Sequence, residues 1–255
     1  MCYDIKTSLE KQLRMALLGG NKAEADEIAD KLKIFSKDEV NLYHASGFDH
    51  PTMFIYTQDE PQKPIIATWG LVPEWSTQKE TIWNKTLNAR GETIFEKPSF
   101  KDSAASKRCL IYLEGFYEHH HKNGKTYPYF IKHKEKELFA VAGLWSEWQS
   151  ELGEVLKTFS IVTTKANELM AEIHNNPKLA EPRMPLILHE EAEEKWLSEE
   201  LGQDAIEKLI QPTKDGELIA HTVAPIKGSK ASGNVSEASL ELRYAELEVK
   251  QLGLF

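Results

Sequence analysis

Two segments near the start of the chain carry apolar residues at helical spacing. The first covers residues 8–18 and the second covers residues 22–32, with Gly-Gly-Asn at 19–21 between them. This pattern predicts a helical hairpin within residues 7–33, after a short strand over residues 2–6. The hairpin contains no side chains that suggest a chemical role.

Beyond residue 39 the apolar positions form short runs that are typical of β-strands. Asn123-Gly124 separates two of these runs and suits the positive φ angles of a type I′ hairpin turn. Helical spacing returns at residues 167–174 and in two acidic stretches, 190–201 and 205–210. The runs that predict strands are 40–43, 53–56, 65–69, 109–113, 127–131, 138–145 and 158–164.

This order of elements predicts the α+β class. We expect a single domain with a mostly antiparallel, sheet-like or barrel-like β core flanked by helices. The domain is expected to cover residues 1–235, with the hairpin at 7–33 as an insertion. Residues 227–234 have the composition of a loop, and residues 236–255 are expected to form a C-terminal tail.

The composition of the 255 residues is ordinary for a globular protein, but the net charge is −9. A function in DNA binding therefore requires a local basic cleft on an acidic body. No apolar run approaches the roughly 20 residues that span a bilayer, and the first residues lack the apolar core of a signal peptide. The sequence predicts a cytoplasmic protein without a membrane partner.

The metal-binding residue types form no convincing site. Cys2 and Cys109 are far apart, and Cys109 lies in an apolar run, so we expect it to be a buried core residue. His119, His120 and His121 are adjacent, and adjacent strand residues point to opposite faces. Three such residues cannot converge on one ion, so we expect neither a metal nor a cofactor.

Cys2 carries the most distinctive chemistry. Removal of Met1, which is common before a small residue, would leave an α-amine with a pKa of about 8 beside the thiol. The amine can form a Schiff base with an aldehyde, and the sulfur can then close a five-membered thiazolidine ring. The pair can also act as an N-terminal nucleophile in acyl transfer. Taken alone, Cys2 is better explained as an accident of a frayed terminus.

Seven short motifs follow Met1-Cys2 in a fixed order. They are Trp69-Gly-Leu-Val-Pro-Glu-Trp75, Asn88-Ala-Arg-Gly-Glu-Thr93, Arg108-Cys-Leu, Gly115-Phe-Tyr-Glu118, Ala142-Gly-Leu-Trp145, Ser160-Ile-Val-Thr-Thr164 and Arg183-Met-Pro-Leu-Ile-Leu188. The set resembles the SOS-response-associated peptidase family, whose members are abasic-site-processing proteins. The resemblance runs from residue 2 to about residue 188, and more faintly to about residue 235. Each motif alone is weak, whereas the ordered set is highly specific.

The resemblance implies roles for individual residues. Cys2 would be the nucleophile, and Asn88 would hold the Cys2 end and orient the sugar. Glu118 would be the acid/base, a role suited to a buried carboxyl with a raised pKa. Arg90 and Arg183 would contact the phosphates on either side of the abasic site. The apolar wall over which the DNA bends would be formed by Trp69, Leu71 and Pro73.

Each of these residues also has a plainer explanation. Asn88 could cap a turn, Glu118 could be an exposed strand-end residue, and Arg90 could belong to a structural ion pair. Trp69 and Trp75 could be core aromatics. The resemblance favours the functional interpretation of Asn88 and Glu118, and it leaves the role of Trp69 open.

The sequence departs from the family pattern at two places. The family histidine lies two residues before the Arg of Arg-Met-Pro, where this chain has Glu181. We favour His174, brought to the site past an insertion over about 176–182, although Glu181 could take the role or no residue could. The usual Cys-Gly-Arg is also replaced by Cys-Tyr-Asp, and Asp4 near a phosphate would be repulsive.

The last five residues resemble the short peptide by which bacterial replication proteins bind the sliding clamp. A glutamine followed by apolar residues suits a shallow apolar pocket, and the alternative is that the apolar residues fold back onto the core. The residues of this candidate clamp-binding peptide are Gln251, Leu252, Leu254 and Phe255.

Three functions compete at this point. The first is a nucleoid-associated sensor of abasic sites in single-stranded DNA that forms a covalent thiazolidine crosslink through Cys2, with lyase and self-cleaving activities as further options. The second is a Cys2-dependent peptidase or amidase. The third is a non-catalytic adaptor for DNA or the clamp. Any link to the SOS response is implied by the resemblance alone.

Overall fold

The computed structural model describes residues 2–248, which form two β-sheets and eight α-helices, together with short 3-10 turns. The helices are α1 (Leu9–Leu18), α2 (Lys22–Leu32), α3 (Lys37–Val40), α4 (Lys101–Ser106), α5 (Glu168–Ile173), α6 (Glu190–Leu197), α7 (Gln203–Leu209) and α8 (Ala245–Glu248). The strands are β1 (Asp4–Ser8), β2 (Asn41–Ser46), β3 (Thr52–Thr57), β4 (Ile65–Trp69), β5 (Asn88–Arg90), β6 (Arg108–Leu113), β7 (Gly115–Lys122), β8 (Lys125–His133), β9 (Phe139–Gln149), β10 (Val155–Lys165), β11 (Arg183–Pro185), β12 (Ile187–Leu188) and β13 (Leu218–Thr222).

The first sheet has five antiparallel strands in the order β13-β8-β7-β1-β2. Strands β7 and β8 form a hairpin whose turn is Asn123-Gly124, and both residues have positive φ angles, 52° and 73°. The predicted turn is therefore confirmed. Strand β1 lies between β7 and β2, so the chain enters the sheet directly after Cys2.

Five strands of the second sheet close into a barrel in the order β10-β4-β3-β6-β9, and pairing between β9 and β10 completes the ring. Only β4 and β10 run parallel among these neighbours. Strands β5 and β11 each pair with β10, and β12 pairs with β9. The predicted α+β class with a mostly antiparallel, barrel-like core is confirmed.

The largest apolar cluster is shared by the two sheets. Ile5 of β1 and Phe116 of β7 pack there with Trp69 of β4 and Val141 of β9, and all four are fully buried. Cys109 is also fully buried in this cluster, as predicted. Full burial of side chains of this size contributes about 1.5–3 kcal/mol each, so the cluster fixes the first sheet on the barrel.

The predicted helical hairpin is confirmed as α1 and α2, which cover one side of the barrel. Ser8 begins α1 because its hydroxyl accepts a hydrogen bond from the backbone N–H of Lys11. Leu9 and Ile28, one from each helix, are fully buried against Phe54 of β3. Within the described part of the chain, no helix is long and apolar enough to cross a bilayer.

Residues 223–244, which we call the C-terminal strap, cross the outer face of the first sheet. Val223 and Ile226 pack against Tyr117 and Phe130. The Tyr244 hydroxyl donates to the carbonyl of Val223, at 2.8 Å. The predicted boundary at residue 235 falls inside this strap. The candidate clamp-binding peptide lies outside the described residues.

Candidate active site and nucleic-acid groove

Cys2 is anchored in the interior of the protein. It is 1% exposed and belongs to the cluster shared by the two sheets. The following residues are held on both sides, because Ile5 pairs with Phe116 and the N–H of Gly47 donates to the carbonyl of Tyr3 at 2.7 Å. Burial raises the pKa of the Cys2 thiol, and the charge of Glu118 raises it further. The thiol is therefore protonated at neutral pH.

Glu118 faces the interior from the fourth position of β7. Residues two apart on a strand share a face, so Glu118 points to the same side as the core residue Phe116. Its side chain is 12% exposed. Burial raises the pKa of Glu118, because the carboxylate loses solvation there.

His174 lies beside Glu118, at the C-terminal end of α5. Its Nε2 is 3.7 Å from Oε2 of Glu118. The backbone N–H and C=O of Arg183 both lie within 3.0 Å of Nδ1, which fixes the ring. Burial lowers the pKa of His174 to about 4, so the imidazole is neutral at pH 7. The intervening loop brings Arg183 back to His174, whereas Glu181 points to Arg183 instead.

Asn88 begins β5, a short strand that runs parallel to β10. Ala89 is buried in the core, so Asn88 and Arg90 point together to the opposite side. Asn88 is 8% exposed, and neither atom of its amide has a hydrogen-bond partner among the described residues. Leaving a buried polar group without a hydrogen bond costs about 1–3 kcal/mol. The amide of Asn88 can therefore still donate and accept hydrogen bonds at the site.

A groove of about 620 Å³ runs past Asn88 and supplies a basic surface on this acidic protein. Lys85, Arg90 and Lys97 line it, and none of its described lining residues is acidic. Trp75 also lines the groove, and 56% of its surface is exposed. Because the chain has a net charge of −9, DNA binding would need a local basic cleft, and this groove is such a cleft.

A cavity of about 560 Å³ lies on the other side of Tyr3, which lines both spaces. Glu118 and His174 line the cavity, whereas Asn88 lines the groove. The structure therefore brings the predicted catalytic residues to one junction but divides them between two spaces. A linear ligand that crosses Tyr3 would contact both sets.

The two predicted phosphate contacts have different surroundings. Arg90 is 49% exposed in the groove, with Nη1 3.7 Å from Oε1 of Glu181. Arg183 is 1% exposed, and its five N–H donors meet acceptors on Glu92, Glu181 and Thr163. A phosphate at Arg183 would have to displace one of these acceptors, so its predicted role in DNA contact stays a prediction.

The predicted apolar wall requires correction. Trp69 and Leu71 are 0% exposed and Pro73 is buried, so none of them has surface to offer DNA. The indole N–H of Trp69 donates to the carbonyl of Leu87 at 2.7 Å, which is the arrangement of a core aromatic. Trp75, which the sequence also allowed as a core residue, is the exposed one.

The histidine run has structural partners. Nδ1 of His120 lies 3.0 Å from the carbonyl of Glu172, and the backbone N–H of His121 donates to Asn175. Among residues 2–248, no group of three or more His, Cys, Asp or Glu side chains is arranged to hold a metal ion.

The fold and the site define a class: a barrel protein with a buried cysteine beside a Glu–His pair and a basic groove. The model of the SOS response associated peptidase (SRAP) family matches residues 1–228. The chain belongs to this family.

Curated relatives and a crystal structure agree with this assignment. The abasic site processing protein YoqW of Bacillus subtilis (strain 168) is 42% identical over 212 residues, which cover 81% of this chain and 91% of the relative. The abasic site processing protein HMCES of Gallus gallus is 34% identical over 171 residues, covering 58% of this chain and 49% of the relative. A crystal structure of a protein from Bacteroides thetaiotaomicron is 34% identical with a TM-score of 0.72, covering 79% of this chain and 86% of that one.

Proposed function

We propose that this protein binds single-stranded DNA and captures the aldehyde of an abasic site on Cys2 after removal of Met1, which lies outside the described residues. The carrying observation is that the buried Cys2 adjoins Tyr3, which lines both the basic groove and the cavity that contains the Glu118–His174 pair. The substrate class is suggested by the relatives named abasic site processing proteins.

Glu118 and His174 are suited to open the sugar ring. The ring oxygen of the abasic sugar must gain a proton while its hydroxyl loses one. Because its pKa is raised, Glu118 keeps a proton to higher pH than an ordinary carboxyl and can donate it. His174, neutral at pH 7, can accept one. The pair supplies both transfers at a separation of 3.7 Å.

The capture then needs no oxidant or reductant. The α-amine nitrogen of Cys2 attacks C1 of the open aldehyde, and the carbonyl oxygen leaves as water to give a Schiff base. The S–H of Cys2 adds across this C=N bond, so that a C–S bond forms and the proton passes to nitrogen. The raised thiol pKa supports this order, because the sulfur keeps its proton until the imine is present.

The groove gives the DNA its path to Cys2. Lys85, Arg90 and Lys97 would bind successive phosphates, and the unsatisfied amide of Asn88 would bond to the sugar. Trp75 offers an exposed ring on which a base can stack, a role that the buried wall residues cannot fill.

The buried thiol disfavours the alternative of a cysteine peptidase. A peptidase nucleophile is a thiolate with a lowered pKa, and Cys2 shows the opposite shift. Strand scission is a competing reaction in this proposal, because it starts from the same Schiff base. Self-removal of Met1 would use the same thiol on a peptide bond, so it is disfavoured together with the peptidase. Docking on the sliding clamp also belongs to the proposal.

Mass spectrometry of the digested adduct tests the chemistry. The Met1-processed protein is incubated with an abasic oligonucleotide without reductant, and the peptide that contains Cys2 is analysed. A thiazolidine gives the summed masses of peptide and sugar fragment less one water and, unlike the Schiff base of the same mass, survives digestion without reductant. An oligonucleotide with a tetrahydrofuran analogue, which lacks the aldehyde, should give no adduct. An adduct on another residue would overturn the proposal.

A further inference from the structure

The C-terminal strap places one lysine in the wall of the cavity beside the Glu118–His174 pair. Nζ of Lys227 lies 2.6 Å from Oδ2 of Asp4, and half of the lysine side chain is exposed. Among the described lining residues of the cavity, Lys227 is the sole lysine or arginine and Glu118 is the sole acid.

Asp4 holds Lys227 in place through this ion pair. It is 2% exposed on β1, and its Oδ1 lies 3.0 Å from Nε2 of His44. Burial alone would raise the pKa of Asp4, but the bond to His44 and the charge of Lys227 hold the pKa below its usual range. The carboxylate is therefore ionised and turned towards these two partners, so its charge is compensated rather than presented to DNA.

The cavity has no other permanent positive charge to meet a phosphate among its described lining residues. Burial lowers the pKa of both His119 and His174 to about 4, so both rings are neutral at pH 7. An ammonium group has three donors, and Asp4 takes one from Lys227. Arg183, by contrast, has every donor engaged.

We propose that Lys227 binds the phosphate on the cavity side of the abasic nucleotide and that Asp4 is the residue that positions it. Arg90 would bind the phosphate on the groove side, so the two cations lie on opposite sides of Tyr3. This inference rests on the proposed function, because it assumes a DNA strand that crosses from the groove into the cavity.

The first test measures affinity for a single-stranded oligonucleotide that carries the tetrahydrofuran analogue, so that covalent capture does not contribute. Lys227→Gln should weaken binding about tenfold and lower the slope of log affinity against log salt by about 0.7, the value for one phosphate contact on a single strand. Lys230→Gln is the matched control, because Lys230 is an exposed lysine of the same strap that does not line the cavity. It should leave both quantities unchanged.

The second test identifies the phosphate. Each of the two phosphates that flank the analogue is replaced in turn by an uncharged methylphosphonate. The wild type should lose about tenfold in affinity at the phosphate that Lys227 contacts, whereas Lys227→Gln should lose nothing further there. Lys227→Arg should bind like the wild type. The inference would be overturned if the loss from Lys227→Gln and the loss from each methylphosphonate were additive at both phosphates. It would also be overturned if Lys227→Gln had the affinity and salt slope of the wild type.

Folding and the proposed function are checked separately. Lys227→Gln leaves the buried Asp4 with a single partner, so the double variant Asp4→Asn/Lys227→Gln, which removes both charges, is measured beside it and should show the same loss of affinity. If the wild type captures the aldehyde while both variants bind normally, this inference fails and the proposed function stands. If the wild type forms no adduct, the proposed function fails.

Discussion

Arg183 and Asn88 lie on two strands, β11 and β5, that both pair with β10, and their side chains differ in hydrogen bonding. Arg183 is 1% exposed, and all five of its donors are bonded. Asn88 is 8% exposed, and its amide has no partner among the described residues. Buried polar groups in proteins are normally satisfied. The contrast therefore separates a residue whose bonds hold the fold from one whose amide contributes no such bond, and the proposed contact of Asn88 with the sugar stays a prediction.

The pKa values of two carboxyl groups, Glu92 and Glu118, also shift in opposite directions. Burial alone would raise the pKa of Glu92, but its bonds to Arg183 hold the pKa below the usual range. Burial likewise raises the pKa of Glu118, and the neighbouring charges do not reverse this effect. Glu92 is stabilised as a carboxylate, whereas Glu118 is kept ready to hold a proton.

The largest expected effect is on stability. Arg183→Ala should lower the free energy of unfolding by about 3 kcal/mol, because the buried oxygens of Thr163 and the partly buried carboxylates of Glu92 and Glu181 lose their guanidinium partner. For a chain of this size the melting temperature should fall by about 6–12 °C in a thermal unfolding experiment. A variant that is as stable as the wild type but binds DNA weakly would show instead that Arg183 is a phosphate contact.

Glu118→Gln should strongly slow the reaction while leaving the nucleophile in place. Removal of the acid/base should slow adduct formation about 100-fold in a single-turnover gel assay. Glu114→Gln is the matched control, because Glu114 is a buried carboxyl immediately before the same strand, paired with Lys6 and Lys11. A Glu118→Gln variant with the wild-type rate would remove Glu118 from the mechanism.

The same substitution should stabilise the protein at neutral pH. Glu118 has a higher pKa in the folded chain than in the unfolded chain, so its stabilising contribution is present below the unfolded pKa and lost as pH rises through the folded pKa. Glutamine does not ionise. The melting temperature of Glu118→Gln should therefore exceed that of the wild type at pH 7, and the difference should shrink at pH 4.5. An equal difference at both values of pH would contradict this account.

Asn88→Ala should slow adduct formation about tenfold through loss of sugar orientation. Its free energy of unfolding should change by less than about 1 kcal/mol, because the loss of an unsatisfied amide offsets the small cavity left behind. Asn84→Ala, an exposed asparagine in the same groove, should change neither quantity. A strongly destabilised Asn88→Ala would place Asn88 with Arg183 among the structural residues.

The smallest expected effect concerns the basic groove. Lys97→Gln should weaken binding of single-stranded DNA a few-fold and lower the salt slope by about 0.7. Lys101→Gln, an exposed lysine outside the groove lining, should not alter the slope. Fluorescence anisotropy over a range of salt concentrations distinguishes the two variants. Equal slopes would remove the groove as the DNA path.

The sequence was sufficient for the elements with strong local patterns. The hairpin α1–α2 follows from helical spacing and the break at 19–21, and the β7–β8 turn follows from Asn123-Gly124. The closure of the barrel does not follow from any local pattern, because it depends on the parallel pairing of β4 with β10, in which Trp69 and Phe159 are 90 positions apart. The boundary at residue 235 was proposed from loop composition, which does not show that the strap packs on the sheet.

The roles of the site residues stay predictions, although the structure places two of these residues together. Motif order suggested Asn88 and Glu118, and the structure brings His174 rather than Glu181 to Glu118. Burial along the Trp69–Trp75 motif was not predictable, because both tryptophans carry the same propensity and tertiary packing decides which one is exposed. Lys227 and its bond to Asp4 join residues 223 positions apart, which no spacing rule connects.

The central claim is that Cys2 captures an aldehyde, and the most direct measurement is a denaturing gel. Met1-processed protein, with a free Cys2 amine verified by intact mass, is incubated with single-stranded DNA that carries one abasic site. The account predicts a heat-stable shifted band for the wild type and none for Cys2→Ala. No band from the wild type, or an equal band from Cys2→Ala, would contradict it.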